Sequence, residues 1–161
     1  MSIVLTRVDF RLIHGQVITQ WVTRLQVNEI VTIDTQLSTD DFMQDVFKMA
    51  APKGVKITIT SVDGAIVAQE RGDFDQKNTM LLFKSVQELD KAVRAGLKLS
   101  EVQIGGLGGG PGRKAVHNAI TLDQTDADVL KALSRDMHVN IVFQTTPDYS
   151  AESLDKVITR L

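Results

Sequence analysis

Short apolar runs and helical apolar stripes alternate along the whole chain. Ile3-Val4-Leu5 is an unbroken apolar run, after which Val17, Ile18, Trp21, Val22 and Leu25 recur at helical spacing. Ile30-Val31-Thr32-Ile33 reads as a second strand ending at Asp34. Ser38 and Asp41 have capping-box spacing, with Asp replacing the usual Glu. They open a helix whose Phe42, Met43, Val46, Phe47 and Ala50 are expected to face the core, and Pro52 and Gly54 stop it. Val55-Lys56-Ile57-Thr58-Ile59 alternates residue by residue, the pattern of a strand near a sheet edge.

Ser61 caps a short helix through Val62, Ala65 and Ile66, closed by Arg71-Gly72-Asp73. Met80-Leu81-Leu82-Phe83 is apolar without interruption, as a strand covered on both faces requires. Ser85 and Glu88 form a second capping box before the stripe Val86, Leu89, Ala92 and Val93. Val102-Gln103-Ile104 is a fifth strand, and Ala119-Ile120-Thr121 a short sixth that could run antiparallel. A helix with Val129, Leu130, Leu133 and Met137 leads to the strand Val139-Asn140-Ile141-Val142-Phe143, with His138 at its start in a structural role. Leu154, Val157, Ile158 and Leu161 mark a final helix. No linker or repeat divides this pattern. It specifies one domain over residues 1–161, of α/β class, with an open, mostly parallel sheet of about six or seven strands and helices on both faces. Strand order is not readable from it.

Composition narrows the function classes. The chain has 161 residues, is 43% hydrophobic and carries a formal net charge of −2, so nothing draws it globally to nucleic acid or anionic lipid. No basic cluster with interleaved aromatics supports nucleic-acid binding. With no cysteine, disulfides and thiolate chemistry are excluded, which fits a reducing cytoplasm. The start lacks the basic region of a signal peptide, and no apolar stretch approaches the ~20 residues that cross a bilayer. Direct membrane insertion is therefore not expected.

Candidate chemistry concentrates in Arg7-Val8-Asp9-Phe10-Arg11-Leu12-Ile13-His14-Gly15-Gln16, between the first strand and the first helix. Ligands in open α/β sheets collect outside the carboxyl ends of strands, where helix N-termini present unpaired N–H groups. Two guanidinium groups, a carboxylate and an imidazole suit a phosphate better than a divalent cation. The neutral imidazole of His14 is a nucleophile able to attack phosphorus. Arg11 can hold phosphoryl oxygens with a planar fork of donors, and Arg7 adds a second cation. Gly15, without a Cβ, lets an anion approach the main chain, where the N–H groups of Gly15 and Gln16 are available. Asp9 either orients His14 or Arg11, or caps the helix. A plain polar loop is the alternative.

Gly105-Gly106-Leu107-Gly108-Gly109-Gly110-Pro111-Gly112-Arg113-Lys114 is the most irregular segment. It lacks the Gly-Lys-Ser/Thr triplet of a nucleotide-binding loop and the downstream acid of a dinucleotide fingerprint. It reads either as an ordinary turn or as a mobile rim beside His14, with Arg113 and Lys114 facing an acidic or phosphorylated partner. His117 and His138 lack ligand spacing, so neither a metal nor another cofactor is expected.

The string Arg-Val-Asp-x-Arg-Leu-Ile-His-Gly-Gln-Val with Trp21 after it resembles the IIB subunits of the mannose/fructose/sorbose family of the bacterial phosphoenolpyruvate-dependent sugar phosphotransferase system. The resemblance runs through Asp34, Asp40, Ala51-Pro52-x-Gly54-Val55-Lys56, Leu82-Phe83-Lys84-Ser85, Ile104-Gly105-Gly106 and Gly112-Arg113. Leu107 departs from the Met common in relatives and touches none of the chemistry. The resemblance implies a protein-N(pi)-phosphohistidine–sugar phosphotransferase. His14 would accept phosphate from a phosphorylated IIA protein and pass it to a sugar held by the IIC and IID membrane subunits. It also implies a cytoplasmic location, peripheral to the inner face of the membrane through those partners. The competing function is a non-catalytic phosphate-binding regulatory module.

Overall fold

The computed structural model describes residues 2–161. Its elements follow in the order β1 (Ile3–Asp9), α1 (Gly15–Leu25), β2 (Glu29–Ile33), α2 (Asp41–Met49), β3 (Lys56–Thr60), α3 (Val62–Glu70), β4 (Thr79–Phe83), α4 (Val86–Ala95), β5 (Glu101–Gly106), β6 (Lys114–His117), β7 (Ile120–Leu122), α5 (Gln124–Met137), β8 (Asn140–Phe143), β9 (Glu152–Ser153) and α6 (Leu154–Ile158). Seven strands form one sheet in the order β3-β2-β4-β1-β5-β8-β9. All neighbours run parallel except β9, which pairs antiparallel with β8. The α/β class, the mostly parallel sheet and the helices on both faces are those expected from the pattern.

The alternation within β4 divides the core. Leu81 and Phe83 point to one face, where α3, α4, α5 and α6 pack through Ala65, Leu89, Leu130 and Val157. Met80 and Leu82 point to the other, covered by α1 and α2 through Ile18, Val22, Met43 and Phe47. The helix after β1 therefore lies on one face, while those after its neighbours β4 and β5 lie on the other. Such a reversal leaves a crevice at the strand ends, where α/β proteins place ligands.

Several local expectations change. Asp40, not Ser38, caps α2 by accepting from the Met43 N–H at 3.0 Å, while the Ser38 hydroxyl donates to Thr35 O in a preceding turn. Only Met43 and Phe47 of α2 pack inward; Phe42, Val46 and Ala50 are exposed. His138 caps the end of α5 in the left-handed region, φ 56°, and does not start a strand. The short strand near residue 120 is β7, which joins β6 in an antiparallel hairpin outside the main sheet. Ser61 and Ser85 cap α3 and α4 as expected.

Candidate functional site

The phosphate-loop candidates sit at the carboxyl end of β1. The strand runs further than its apolar run, through Arg7 and Asp9, both fully buried. Val8 packs into one core, so its neighbours Arg7 and Asp9 project to the opposite face, the one that α1 covers. Burying these charges is costly unless they are paired and hydrogen-bonded. They satisfy each other, with Arg7 Nη2 donating to Asp9 Oδ2 at 3.1 Å. Arg7 donates further to Gln103 Oε1, to Gln144 O at 3.2 Å and to Thr145 O at 3.0 Å, and lies 5.8 Å over the Trp21 ring. Burial pulls the Arg7 guanidinium below its ordinary range, opposed by the attraction of Asp9.

This geometry corrects the phosphate-binding role expected of Arg7. Its guanidinium has no exposed surface and is spent on Asp9 and on carbonyls. Arg7 instead holds Asp9 in place. Asp9 Oδ1 accepts from the Arg11 backbone N–H at 3.1 Å and from Arg11 Nε at 3.4 Å. Asp9 thus orients Arg11, and it does not cap α1, whose cap position is His14. The terminal nitrogens of Arg11 have no hydrogen bond among the described residues, and its side chain is 39% exposed. They remain available to an anion.

The chain then turns sharply. Leu12 N–H donates to Asp9 O at 3.0 Å, and Leu12, buried, takes φ 58°, a conformation costly for a branched residue and typical of sites that must hold a fixed shape. This brings His14 back over Asp9, with Nε2 3.7 Å from Asp9 Oδ2. His14 Nδ1 lies 2.8 Å from Leu12 O; because a carbonyl only accepts, that nitrogen carries a proton in this contact. Nε2 is buried without a hydrogen-bond partner among the described residues. Gly15 opens α1 at φ 37° with nothing within 4 Å of where a Cβ would stand, and Gly15 and Gln16 are exposed. The exposed first turn of α1, whose amides lack intrahelical partners, thus begins directly after the imidazole.

β5 makes the site possible from its far side. A Cβ on Gly106 would lie 2.8 Å from Asp9 Oδ1, and one on Gly105 would overlap the Arg7 guanidinium. Gln103 and Thr145 are site partners that sequence reasoning missed, as it missed the clearance that Gly105 and Gly106 provide. Trp21, expected as core packing, is buried and donates Nε1–H to Thr145 O at 3.0 Å.

The glycine segment starts inside the sheet, while Gly109, Gly110 and Gly112 are exposed. Its first two glycines belong to β5, and Thr121 N–H donates to Leu107 O at 3.1 Å. Arg113, expected to face a partner, is instead turned inward to Asp123 Oδ2 at 3.1 Å, Asp126 Oδ2 at 2.9 Å and Thr121 O at 2.9 Å. Two carboxylates within reach outcompete solvent. Lys114 is exposed. The hairpin is pinned again where Glu152 binds His117 Nδ1 at 2.7 Å and takes two bonds of 2.6 Å from Arg160. Arg160 chiefly, then His117, holds the Glu152 carboxyl well below the usual carboxylate range. Among the described residues no group of three His, Cys, Asp or Glu side chains is arranged for a metal ion. No helix among them is long and apolar enough to cross a membrane.

Comparison with known proteins decides the family. The family model for the sorbose-subfamily IIB component of the phosphotransferase system matches residues 3–161. The chain belongs to that family. A sorbose-specific EIIB component from Lacticaseibacillus casei is 32% identical over 133 residues, 83% of this chain and 81% of that protein. The mannose-specific EIIAB component of Escherichia coli K12 is 31% identical over 134 residues, 83% of this chain but 42% of that protein, so the chain spans less than half of that relative's length. Among solved structures, the IIBSor domain of the sorbose permease from Klebsiella pneumoniae superposes with a TM-score of 0.88 at 26% identity, covering 100% of this chain and 99% of that one. This IIB chain therefore shares a fold with IIB domains over its whole described length.

Proposed function

We propose that this IIB chain is a phosphocarrier that takes a phosphoryl group onto His14 from a phosphohistidine of a IIA protein or domain and gives it to a sugar. The sugar is held by membrane subunits IIC and IID, which place the chain in the cytoplasm at the inner face of the membrane. Family membership supports this reading, and one observation carries it. The sole imidazole of the loop sits at the N-terminus of α1 beside a buried carboxylate, and that carboxylate also holds a guanidinium whose terminal donors are free among the described residues. In the first step the phosphorus–nitrogen bond to the donor imidazole breaks as a bond to His14 forms. In the second, a sugar hydroxyl oxygen attacks phosphorus, the His14 bond breaks, and the hydroxyl proton is taken up in the balance by the imidazole that leaves. Arg11 and the first-turn amides of α1 neutralise charge on the transferring oxygens, the preorganised electrostatics on which phosphoryl transfer depends.

In the rotamer described, one ring nitrogen is bonded to Leu12 O and the other is enclosed beside Asp9. Acceptance therefore requires the ring to turn outward. The same enclosure favours the competing reading, a module that binds phosphate without forming a bond. Incubation with a phosphorylated IIA protein followed by acid treatment separates the two. An acid-labile adduct on His14 establishes the carrier; reversible binding with no adduct establishes the module.

A further inference from the structure

Helix α2 carries an apolar surface that the fold does not use. Phe42, Val46 and Met49 follow at i, i+4 and i+7, so they form one line along the helix, and they are 75%, 41% and 86% exposed. The helix is held through a different seam, Met43 and Phe47, and contributes no fully buried residue. Large apolar side chains exposed in a line mark an interaction surface, whereas singly scattered ones do not. The core seam of α2, beside this line, is what reaches the reaction loop. A cavity of about 260 Å³ lies between Phe10 and Leu12 of that loop and Leu37, Met43 and Phe47.

Charge divides the surroundings of this surface. Asp41 and Asp45, spaced i, i+4, form an exposed ridge on the side of the line away from the core seam, and neither has an ion-pair partner among the described residues. On this side Asp34, Asp40, Asp41 and Asp45 outnumber two lysines, Lys48 in the last turn of α2 and Lys84 on the cavity wall. Arg11 lies across Phe10, which also lines a second cavity with Arg11 and His117. Arg11 sits 5.3 Å over the Phe10 ring, and Lys114 is exposed at the start of the hairpin. A phosphorylated donor brings negative charge, which suits the Arg11 and Lys114 flank. The acidic, apolar flank suits a partner of opposite character. Cytoplasmic segments of membrane proteins carry an excess of Lys and Arg.

We infer that the Phe42–Val46–Met49 line and the Asp41–Asp45 ridge dock a basic, amphipathic cytoplasmic segment of the membrane component, with an apolar anchor of that segment in the cavity between Phe10 and Phe47. This rests on the phosphocarrier reading. It assigns the carrier's two partners to opposite flanks of one loop, so that like charge keeps each from the other's surface.

The test uses the full chain, phosphorylated IIA protein, and inverted membrane vesicles with and without the membrane component of its phosphotransferase system. The variants are Phe42→Ser with Met49→Ser, and Asp41→Lys with Asp45→Lys; the second pair leaves the apolar line intact. Both are expected to accept label from IIA at the wild-type rate, to lose about tenfold or more of their binding to the loaded vesicles, and to lose sugar phosphorylation in proportion. Slower labelling by IIA would make this the donor's face, and wild-type self-association lost in the variants would make it a contact between two copies. Equal loss on vesicles lacking the component would make it a lipid contact, and unchanged vesicle binding would leave the line without this role. Each of these overturns the inference. Failure of the wild-type chain to take label from IIA strikes the phosphocarrier reading itself.

Discussion

Gly105 and Arg7 occupy one small volume: a Cβ on Gly105 would overlap the guanidinium carbon and both terminal nitrogens of Arg7 across the β1–β5 pair. Gly105→Ala must displace a fully buried, four-way hydrogen-bonded cation. The expected cost is about 1–3 kcal/mol, the range of overpacking in a dense core. For a chain of this size that lowers the melting temperature by roughly 2–4 °C per kcal/mol. Thermal melts of the variant check it, and an unchanged melt would show that β5 yields locally.

Arg7 and Arg11 should separate cleanly by mutation. Arg7→Ala leaves the Asp9 carboxylate buried with its main partner gone, so stability falls by about 3–5 kcal/mol. Arg11→Ala exposes little and should leave the melt near wild type while slowing single-turnover transfer roughly 10²-fold in both directions. Arg11→Lys should restore only part of the rate, since an ammonium cannot reproduce a bidentate fork. Equal rates for wild type and Arg11→Ala would remove Arg11 from the chemistry.

His14→Ala is expected to abolish acceptance from IIA and keep the fold. His14 makes no side-chain cap bond to α1, and its one hydrogen bond, to Leu12 O, is worth on the order of 1 kcal/mol. Labelling with phosphorylated IIA alongside a circular-dichroism melt tests both halves.

Salt dependence should track Lys114, not Arg113. Donor encounter steered by exposed cations weakens as salt screens beyond about 8 Å. Lys114→Ala should flatten that dependence at limiting IIA. Arg113→Ala should instead lower the melting temperature, because Asp123 and Asp126 lose the cation between them. The reverse pattern would mean that Arg113 leaves its carboxylates to meet the donor.

The Glu152 tie sets an acid limit. Its carboxyl is held below the usual range by Arg160 and His117 in the folded chain, so the ionised tie stabilises fully above the unfolded carboxylate value near ~4.3 and fades as pH falls below it. The melting difference between wild type and Glu152→Gln should narrow as pH falls below about pH 4. A difference that persists undiminished at about pH 3 would place the stabilisation elsewhere.

What the sequence carried well was periodicity. The unbroken run at β4 implied two covered faces, and both cores meet there. Serine caps before α3 and α4 were legible because capping is a contact across three residues. α2 failed for a reason internal to helices: it has two apolar lines, and spacing alone cannot say which one meets the sheet. Arg7 read as a loop cation because every partner but Asp9 lies 96 to 138 residues away. Arg113 misled in the same way, its carboxylates being donated by the entrance of the following helix. Gly105 and Gly106 read as loop flexibility, whereas in the sheet they serve as clearance for someone else's charge.

The carbonyl of Thr145 receives both Arg7 Nη2 and Trp21 Nε1, joining the strand and helix that bracket the reaction loop to a segment just past β8. This gives assembly an order. A nascent chain that has emerged only through β5 contains the whole loop, its histidine and both arginines, yet Arg7 still lacks the carbonyls that seat it against Asp9. On the phosphocarrier reading, competence therefore waits for residues near 145 to reach the first strand. A ribosome-bound fragment ending before that point would have the chemistry written in it and no fixed place to perform it.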